Sequence, residues 1–101
     1  MESEDINWHD AILLEVLEDT GKDMLTFVVD YPVDWNAQRW EKRSIRFMDV
    51  LNYEVREAAF HGPPTILGAS VIGRENGRKI IRVETNSGYR QLAFMKIGLE
   101  E

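Results

Sequence analysis

The chain has 101 residues, of which 44% are apolar and none is cysteine, and its formal net charge is −6. This length predicts one domain with a single core, and the lack of cysteine excludes disulfides, thiolate chemistry and cysteine-ligated zinc. No apolar run approaches the roughly 20 residues of a membrane span, and the N-terminus is acidic, unlike a signal peptide, so we expect a cytoplasmic protein that does not bind membranes.

Charge is distributed unevenly along the chain. Residues 1–34 contain ten acidic residues and one basic residue, a net charge of −9, whereas residues 35–101 contain eight acidic and eleven basic residues, a net charge of +3. The acidic balance argues against nucleic-acid binding, which depends on contacts between basic side chains and phosphates. The acidic first third suits a basic protein partner, although a solvated surface that keeps the protein soluble explains it as well.

A β-hairpin is predicted after a flexible tail at residues 1–6. The stretch AILLEVLED leads into turn residues at 19–22, and the strand-like MLTFVVDY follows. A four-residue loop between these strands would bury one face throughout. The register predicted in this way pairs Glu18 with Asp23, Val16 with Leu25, Leu14 with Phe27, and Ile12 with Val29.

The middle of the chain is predicted to be less regular. Pro32 ends the second strand because it has no amide donor for a sheet, and residues 33–42 form a long connection. A third strand runs from Ser44 to Tyr53 with a bulge near Asp49. Residues 55–60 form either a helical turn or a continuation of that strand, and the Gly-Pro-Pro sequence at 62–64 breaks any regular element.

Residues 65–97 predict an antiparallel meander of three strands joined by two glycine-containing turns. At the first turn, an Asn-Gly loop would place Glu75 opposite Arg78, but a three-residue loop gives the better hydrophobic match. The preferred register pairs Val71 with Ile81, Ala69 with Val83, Leu67 with Thr85, Val83 with Leu92, and Ile81 with Phe94. The opposite face mixes polar residues with Ile66, Ile72, Ile80, Ala93 and Met95, so we expect a second sheet, a helix or another chain to cover part of it.

These elements predict a mainly β protein, or an α+β protein with one or two short helices. About six antiparallel strands would form a small barrel, a curved sheet or a two-layer sandwich. The single domain 1–101 is expected to comprise an N-terminal β unit at 7–53, a connection at 54–64 and the C-terminal meander at 65–98.

Candidate catalytic chemistry centres on His9 and Asp10, a histidine beside a carboxylate that could transfer protons or bind a metal. Neighbouring residues on a strand point to opposite faces, however, so this pair converges only within a turn. His61 is the only other histidine, and no spacing requires it to join them. We therefore predict no catalytic residue, no metal site and no cofactor.

A binding surface is predicted around the tryptophans and the acidic hairpin. Trp35 and Trp40 lie in the expected connection among polar residues, and tryptophan is common at interaction hot spots. Covering one end of the core explains the two indoles equally well, and Trp8 is expected to pack as a lid. The basic residues of the meander, including Arg90, are expected on its exposed side. The candidate binding residues are Trp8, His9, Asp10, Glu15, Glu18, Asp19, Asp23, Trp35 and Trp40.

The opening Trp8-His9-Asp10-Ala11-Ile12-Leu13, the hairpin after it, and Arg46-Phe47-Met48-Asp49-Val50 resemble small uncharacterised bacterial proteins, some of which are assigned as immunity proteins of toxin systems. The resemblance covers the first half of the chain. It implies a binding protein that occludes a toxin, with no catalytic residues to carry over, and a basic toxin such as a nuclease would suit the acidic first third.

The sequence therefore predicts a non-enzymatic protein-binding domain with a basic protein partner. The alternative is a small-ligand-binding protein or small enzyme with a pocket near His9, Asp10 and His61. A homodimer that buries the second face of the meander is a further expectation.

Overall fold

Alternating apolar residues form eight antiparallel strands in the computed structural model, which describes residues 1–59 and 61–101. The strands are β1 (Ile12–Asp19), β2 (Met24–Asp34), β3 (Arg39–Met48), β4 (Leu51–Glu57), β5 (Ile66–Glu75), β6 (Arg78–Thr85), β7 (Gly88–Phe94) and β8 (Lys96–Glu100). They build two four-stranded sheets, ordered β1-β2-β3-β8 and β4-β7-β6-β5. Because the sheets share one core and are not closed into a barrel over the described residues, the fold is the two-layer form of the predicted mainly β class.

The two strands beyond the predicted six arise where the chain crosses between sheets. The expected third strand divides at Asp49, whose positive φ of 57° turns the backbone from β3 into β4. The last strand of the expected meander divides at Met95, so β8 leaves the meander and pairs with β3. Strand β4 reaches Glu57, so residues 54–57 of the expected connection belong to a strand; Phe60 lies outside the described residues.

The β1–β2 hairpin keeps the predicted faces near its turn but has a different register. Val16 lies opposite Phe27, two residues from the expected pairing with Leu25. A two-residue shift preserves the buried face, but a bulge between Leu13 and Glu15 then changes it. Leu13 is consequently buried and Leu14 is 45% exposed, which contradicts the prediction that Leu14 packs against Phe27.

A second hairpin replaces the long connection predicted at 33–42. Strand β2 continues through Pro32 to Asp34, and a turn at residues 35–38 leads directly into β3. The prediction that Pro32 ends β2 is wrong because the pairing of β1 stops at Asp30, which leaves Pro32 on a stretch of β2 that has only β3 beside it. A strand edge tolerates proline, and a bulge follows before Asp34.

The first turn of the meander combines both registers that the sequence allowed. At the tip, Glu75 lies opposite Arg78, as a two-residue Asn-Gly loop requires. Farther along, Val71 lies opposite Ile81, as preferred for the three-residue loop, because a bulge between Val71 and Gly73 shifts the pairing by one residue.

The predicted pairing of Ala69 with Val83 is confirmed, but the remaining meander pairings differ from the predicted ones. A bulge at Leu67 places Ile66, instead of Leu67, opposite Thr85. At the second turn, Thr85 lies opposite Gly88 and Ile81 opposite Leu92, a two-residue shift that preserves the faces. Leu67 is therefore 49% exposed, contrary to its predicted place in the core, and Ile66 is buried in its stead.

Aromatic residues from both sheets meet at the centre of the core. Phe47 of β3 contacts Phe27 of β2 and Phe94 of β7, each edge to face with ring centroids 5.3 Å apart. The surrounding side chains are fully buried, among them Ile45, Ile81, Val83 and Leu92. The outer face of the second sheet, part of which was predicted to be covered, buries Ala93, whereas Ile72 is 48% exposed; Met95, which lies between β7 and β8, is 50% exposed.

The N-terminal segment is packed, contrary to the flexible tail predicted at 1–6. A 3-10 turn at Ser3–Asp5 leads to Ile6, which is buried, and the side chain of Lys79 pairs with Glu2. The amide of Asn7 donates to the hydroxyl of Tyr31 at 2.8 Å. Within residues 1–59 and 61–101, no helix has the length and apolar character required to span a membrane.

Candidate functional site

One end of the first sheet presents an exposed cluster of aromatic side chains, which we call the aromatic end: His9, Trp35 and Trp40, with Asp10 and Leu67 beside them. Trp35 begins the turn between β2 and β3 and is 42% exposed. The carboxylate of Asp34 accepts a hydrogen bond from the amide of Ala37 at 3.1 Å, which fixes the turn. The turn therefore holds a large apolar side chain at the surface.

Trp40 supports Trp35 from the side. Their rings meet edge to face, with centroids 5.7 Å apart. Trp40 is half-buried, and its indole Nε1 donates to the carbonyl oxygen of Asp10 at 3.4 Å. This bond ties the start of β3 to the segment before β1, so Trp40 is held in place as it packs against the Trp35 ring.

His9 supports the other side of Trp35. The two rings are stacked, with centroids 6.2 Å apart and planes 26° apart. His9 Nδ1 lies 3.0 Å from the carbonyl oxygen of Leu67, and because a carbonyl can only accept, Nδ1 carries a proton. His9 Nε2 then faces Asp10 Oδ1 at 3.6 Å.

A turn brings His9 and Asp10 together, which is the condition that the sequence set for their convergence. Asp10 has a φ of 69°, and its amide donates to the carbonyl oxygen of Ile66 at 2.8 Å. Both side chains are largely exposed, at 69% and 42%. Among the described residues, no hydrogen bond, ion pair or ring contact joins His61 to this pair, and no group of three or more His, Cys, Asp or Glu could hold a metal ion.

Trp8, one of the candidate binding residues, is a core residue. It is 6% exposed, and its indole Nε1 donates to the carbonyl oxygen of Ser3 at 2.9 Å. Its ring stacks against Phe47 with centroids 6.4 Å apart. These contacts agree with the prediction that Trp8 packs as a lid on the core.

The acidic candidates lie away from the aromatic end. Asp10 and Ile12 mark one end of β1, whereas Asp19 ends β1 and Asp23 lies in the turn that follows. Eight residues of strand span about 23 Å. The predicted single surface therefore divides into an aromatic part and an acidic part, connected by the length of β1, on which Glu15 and Glu18 are exposed.

A polar cluster between the sheets was not predicted. Arg90 of β7 points toward the core side, where its Nη2 and Nε donate to the two carboxylate oxygens of Glu57 at 2.7 and 3.1 Å. Arg90 Nη1 donates to the hydroxyl of Tyr53 at 3.1 Å, and the hydroxyl of Thr85 donates to Glu57 at 3.1 Å. The side chains of Arg90 and Glu57 are only 17% and 11% exposed.

These contacts change the titration of the cluster. The hydrogen bonds from Arg90 hold the pKa of Glu57 below its ordinary value, and the bond to Glu57 raises the pKa of Arg90. Burial raises the pKa of Tyr53, although Arg90 opposes that effect. The neutral hydroxyl of Tyr53 and the charged forms of Arg90 and Glu57 are thus favoured together, which is the pattern of a structural ion pair.

The expected exposed position of Arg90 is therefore wrong. Its parity matches that of Leu92 and Phe94, both buried, so strict alternation along β7 would have placed it on the core side. Because Arg90 is charged, it was expected on the exposed face despite this alternation. By contrast, Arg82 has the expected outward position, where it lies 4.1 Å above the ring of Tyr89.

Comparisons with known proteins identify a shared fold and no family. A scan against protein-family models and a search of curated proteins find no match. The chain is similar to a solved structure described as the crystal structure of an uncharacterized protein from Neisseria gonorrhoeae, with a TM-score of 0.56, 11% sequence identity and 92% of each chain covered. At this identity the likeness concerns the fold alone.

Proposed function

We propose that this chain is a non-enzymatic protein-binding domain and that the aromatic end is part of its contact surface. The observation that carries the proposal is the exposed Trp35 ring, which is held between Trp40 and His9. Tryptophan dominates binding energy at many interfaces because it buries a large apolar area. A ring already held in place loses less conformational freedom on binding than a mobile one.

The charge of the chain supports a basic partner. The net charge of −9 over residues 1–34 includes Asp10 and Asp34 at the aromatic end and the exposed acids of β1. Opposite charge accelerates encounter and suppresses unsuitable partners. The resemblance to immunity proteins of toxin systems is consistent with a basic toxin as that partner, which this domain would block by covering it.

The test is capture of the partner from lysate of the source cell with the wild-type chain and with two substituted chains. Trp35→Ala removes the proposed hot spot, and Ile72→Ala removes a comparably exposed apolar residue of the other sheet. We expect one stoichiometric partner that Ile72→Ala retains, and a loss of at least about tenfold in affinity for Trp35→Ala.

Circular dichroism would establish that both substituted chains are folded, and light scattering would show whether the captured partner is a second copy. Equal losses of affinity for the two substitutions would show that the aromatic end is not part of the interface. Capture of no stoichiometric partner by the wild-type chain would contradict the protein-binding function itself.

A further inference from the structure

The outer edge of β1, which faces away from β2, pairs with another segment over only a few residues. On its other side β1 pairs with β2, and on this edge Ile12 forms an isolated bridge with Thr65. The amide of Ile66 donates to the carbonyl oxygen of Ala11 at 2.7 Å, and the amide of Leu13 donates to the carbonyl oxygen of Pro64 at 2.9 Å. The segment before β5 therefore lies beside β1 as the start of a fifth strand.

This pairing ends at Pro64. Pro63 and Pro64 have no amide hydrogens, so they cannot donate to a ladder. Within the part of the chain that the structure describes, no backbone hydrogen bond joins the outer edge of β1 beyond Leu13 to another segment. From Leu14 to Asp19 the edge is available, and alternate backbone groups of an edge strand face outward.

An open cavity separates the two segments where a continued ladder would have joined them. Its volume is about 380 Å³, which lies within the range of pockets that hold ligand groups. Its walls are formed by β1 on one side, the proline segment on the other and Arg90 of the second sheet: Leu13, Leu14, Glu15, Val16, Gly62, Pro63, Pro64 and Arg90. A side chain of an added strand would have room beside β1.

The charges on this edge determine which strand it would accept. Glu15, Glu18 and Asp19 are exposed, and β1 contains no basic residue. Pairing the edge with that of a second copy would bring these acids together, and like charges on neighbouring strands are destabilising. Lysine or arginine at alternate positions of an added strand would instead lie beside Glu15 and Asp19, which share one face of β1. The two exposed leucines, Leu14 and Leu17, add apolar contact.

We propose that the edge of β1 from Leu14 to Asp19 binds an extended basic segment of the partner protein as an added strand, with one of its side chains in the cavity beside Pro63 and Pro64. Main-chain hydrogen bonds would supply affinity, and the acids and the cavity would supply specificity. This inference rests on the proposed protein-binding function and deepens it, because it states how the partner is held and places a second contact away from the aromatic end.

The test uses the full chain and three synthetic peptides as long as β1. One alternates Lys and Val, the second has the same sequence with every backbone amide methylated, and the third alternates Glu and Val. We expect the first peptide to bind and to slow hydrogen exchange of the amides between Glu15 and Asp19 by about tenfold or more. The methylated peptide keeps the charge, but it has no amide hydrogens to donate to β1 and its methyl groups block both of its edges, so it should not protect them.

Charge reversal provides the second arm. Substitution of Glu15, Glu18 and Asp19 by Lys should reverse the preference from the Lys peptide to the Glu peptide, with a change of about tenfold or more in each affinity. Substitution of Glu54, Glu75 and Glu84 by Lys, on the other sheet, gives the same net charge and should leave the preference unchanged.

Equal binding of the methylated peptide, protection away from β1, or no binding of the Lys peptide would each overturn the added-strand inference. Trp35→Ala should bind the Lys peptide as the wild-type chain does. If the peptides fail while partner capture still depends on Trp35, the inference is refuted and the protein-binding function stands. If the Lys peptide pairs with β1 while Trp35→Ala retains the partner, the aromatic end is refuted instead.

Discussion

The ion pair between Glu57 and Arg90 gives the sharpest test of the packing between the sheets. Glu57→Gln keeps the shape of the side chain but removes its charge and places an amide group against the guanidinium donors. Glu57 accepts two bonds from Arg90 and one from Thr85. Because Arg90 is only 17% exposed, the substitution leaves a poorly hydrated positive charge without its counter-ion.

Loss of one partner from a fully buried pair costs about 3–5 kcal/mol. This pair retains some solvent and borders an open cavity, so we expect a smaller loss of about 2–3 kcal/mol in the free energy of unfolding. For a domain of this size, that loss lowers the midpoint of thermal unfolding by about 10 °C. Urea and thermal unfolding followed by circular dichroism measure both quantities.

Glu54→Gln is the matched control, because it makes the same substitution on the same strand. Glu54 lies 3.7 Å from Arg56 in a pair whose side chains are 40% and 68% exposed, and such pairs contribute less than about 1 kcal/mol. Equal losses for the two substitutions would refute the structural role of the inner pair. Adding Arg90→Met to Glu57→Gln should restore part of the stability, since it removes the unpaired charge.

Three further predictions concern pH, the β1 bulge and the second turn of the meander. The pKa of Glu57 is lower in the folded chain than its ordinary value of 4.5, so the extra stability of the wild-type chain over Glu57→Gln should be complete above pH 4.5 and should shrink as the pH falls below it. A stability difference that is independent of pH in acid unfolding curves would contradict this. Leu13→Ala should cost about 2–5 kcal/mol in urea unfolding and Leu14→Ala about 0.5 kcal/mol or less, whereas the reverse order would exclude the bulge between them. Gly88→Ala should cost more than about 2 kcal/mol, because its Cβ would lie 2.0 Å from the carbonyl oxygen of Arg56. Gly98→Ala, with open space around its Cβ, should be tolerated, and similar unfolding midpoints for the two would refute the close approach of β7 to β4.

The sequence predicts the mainly β class well because period-two alternation and turn residues are local signals. It does not predict which strands pair across the chain. Both crossings between sheets occur within stretches that read as single strands, at Asp49 and at Met95. Pairing of β8 with β3 joins segments about half the chain apart, and no local pattern specifies such a contact.

The aromatic end was predicted in part from composition. The sequence singled out Trp35, Trp40, His9 and Asp10, and the structure brings these four together. The predicted binding surface also included the acidic hairpin, an arrangement that the expected long connection at 33–42 would have permitted. Because the connection is a tight hairpin turn, Trp35 is fixed beside His9 at the end of the sheet remote from Asp19.

Bulges explain why the exposed apolar positions of both proposed surfaces could not be predicted. The bulge after Leu13 turns Leu14 out toward the free edge of β1, and the bulge at Leu67 turns that residue out beside His9. Each bulge adds one residue to one strand, so every side chain beyond it changes face relative to a regular pairing. A sequence pattern that assumes an unbroken ladder places both leucines in the core. The same irregularities that defeat the register therefore expose the apolar groups on which a binding function would depend.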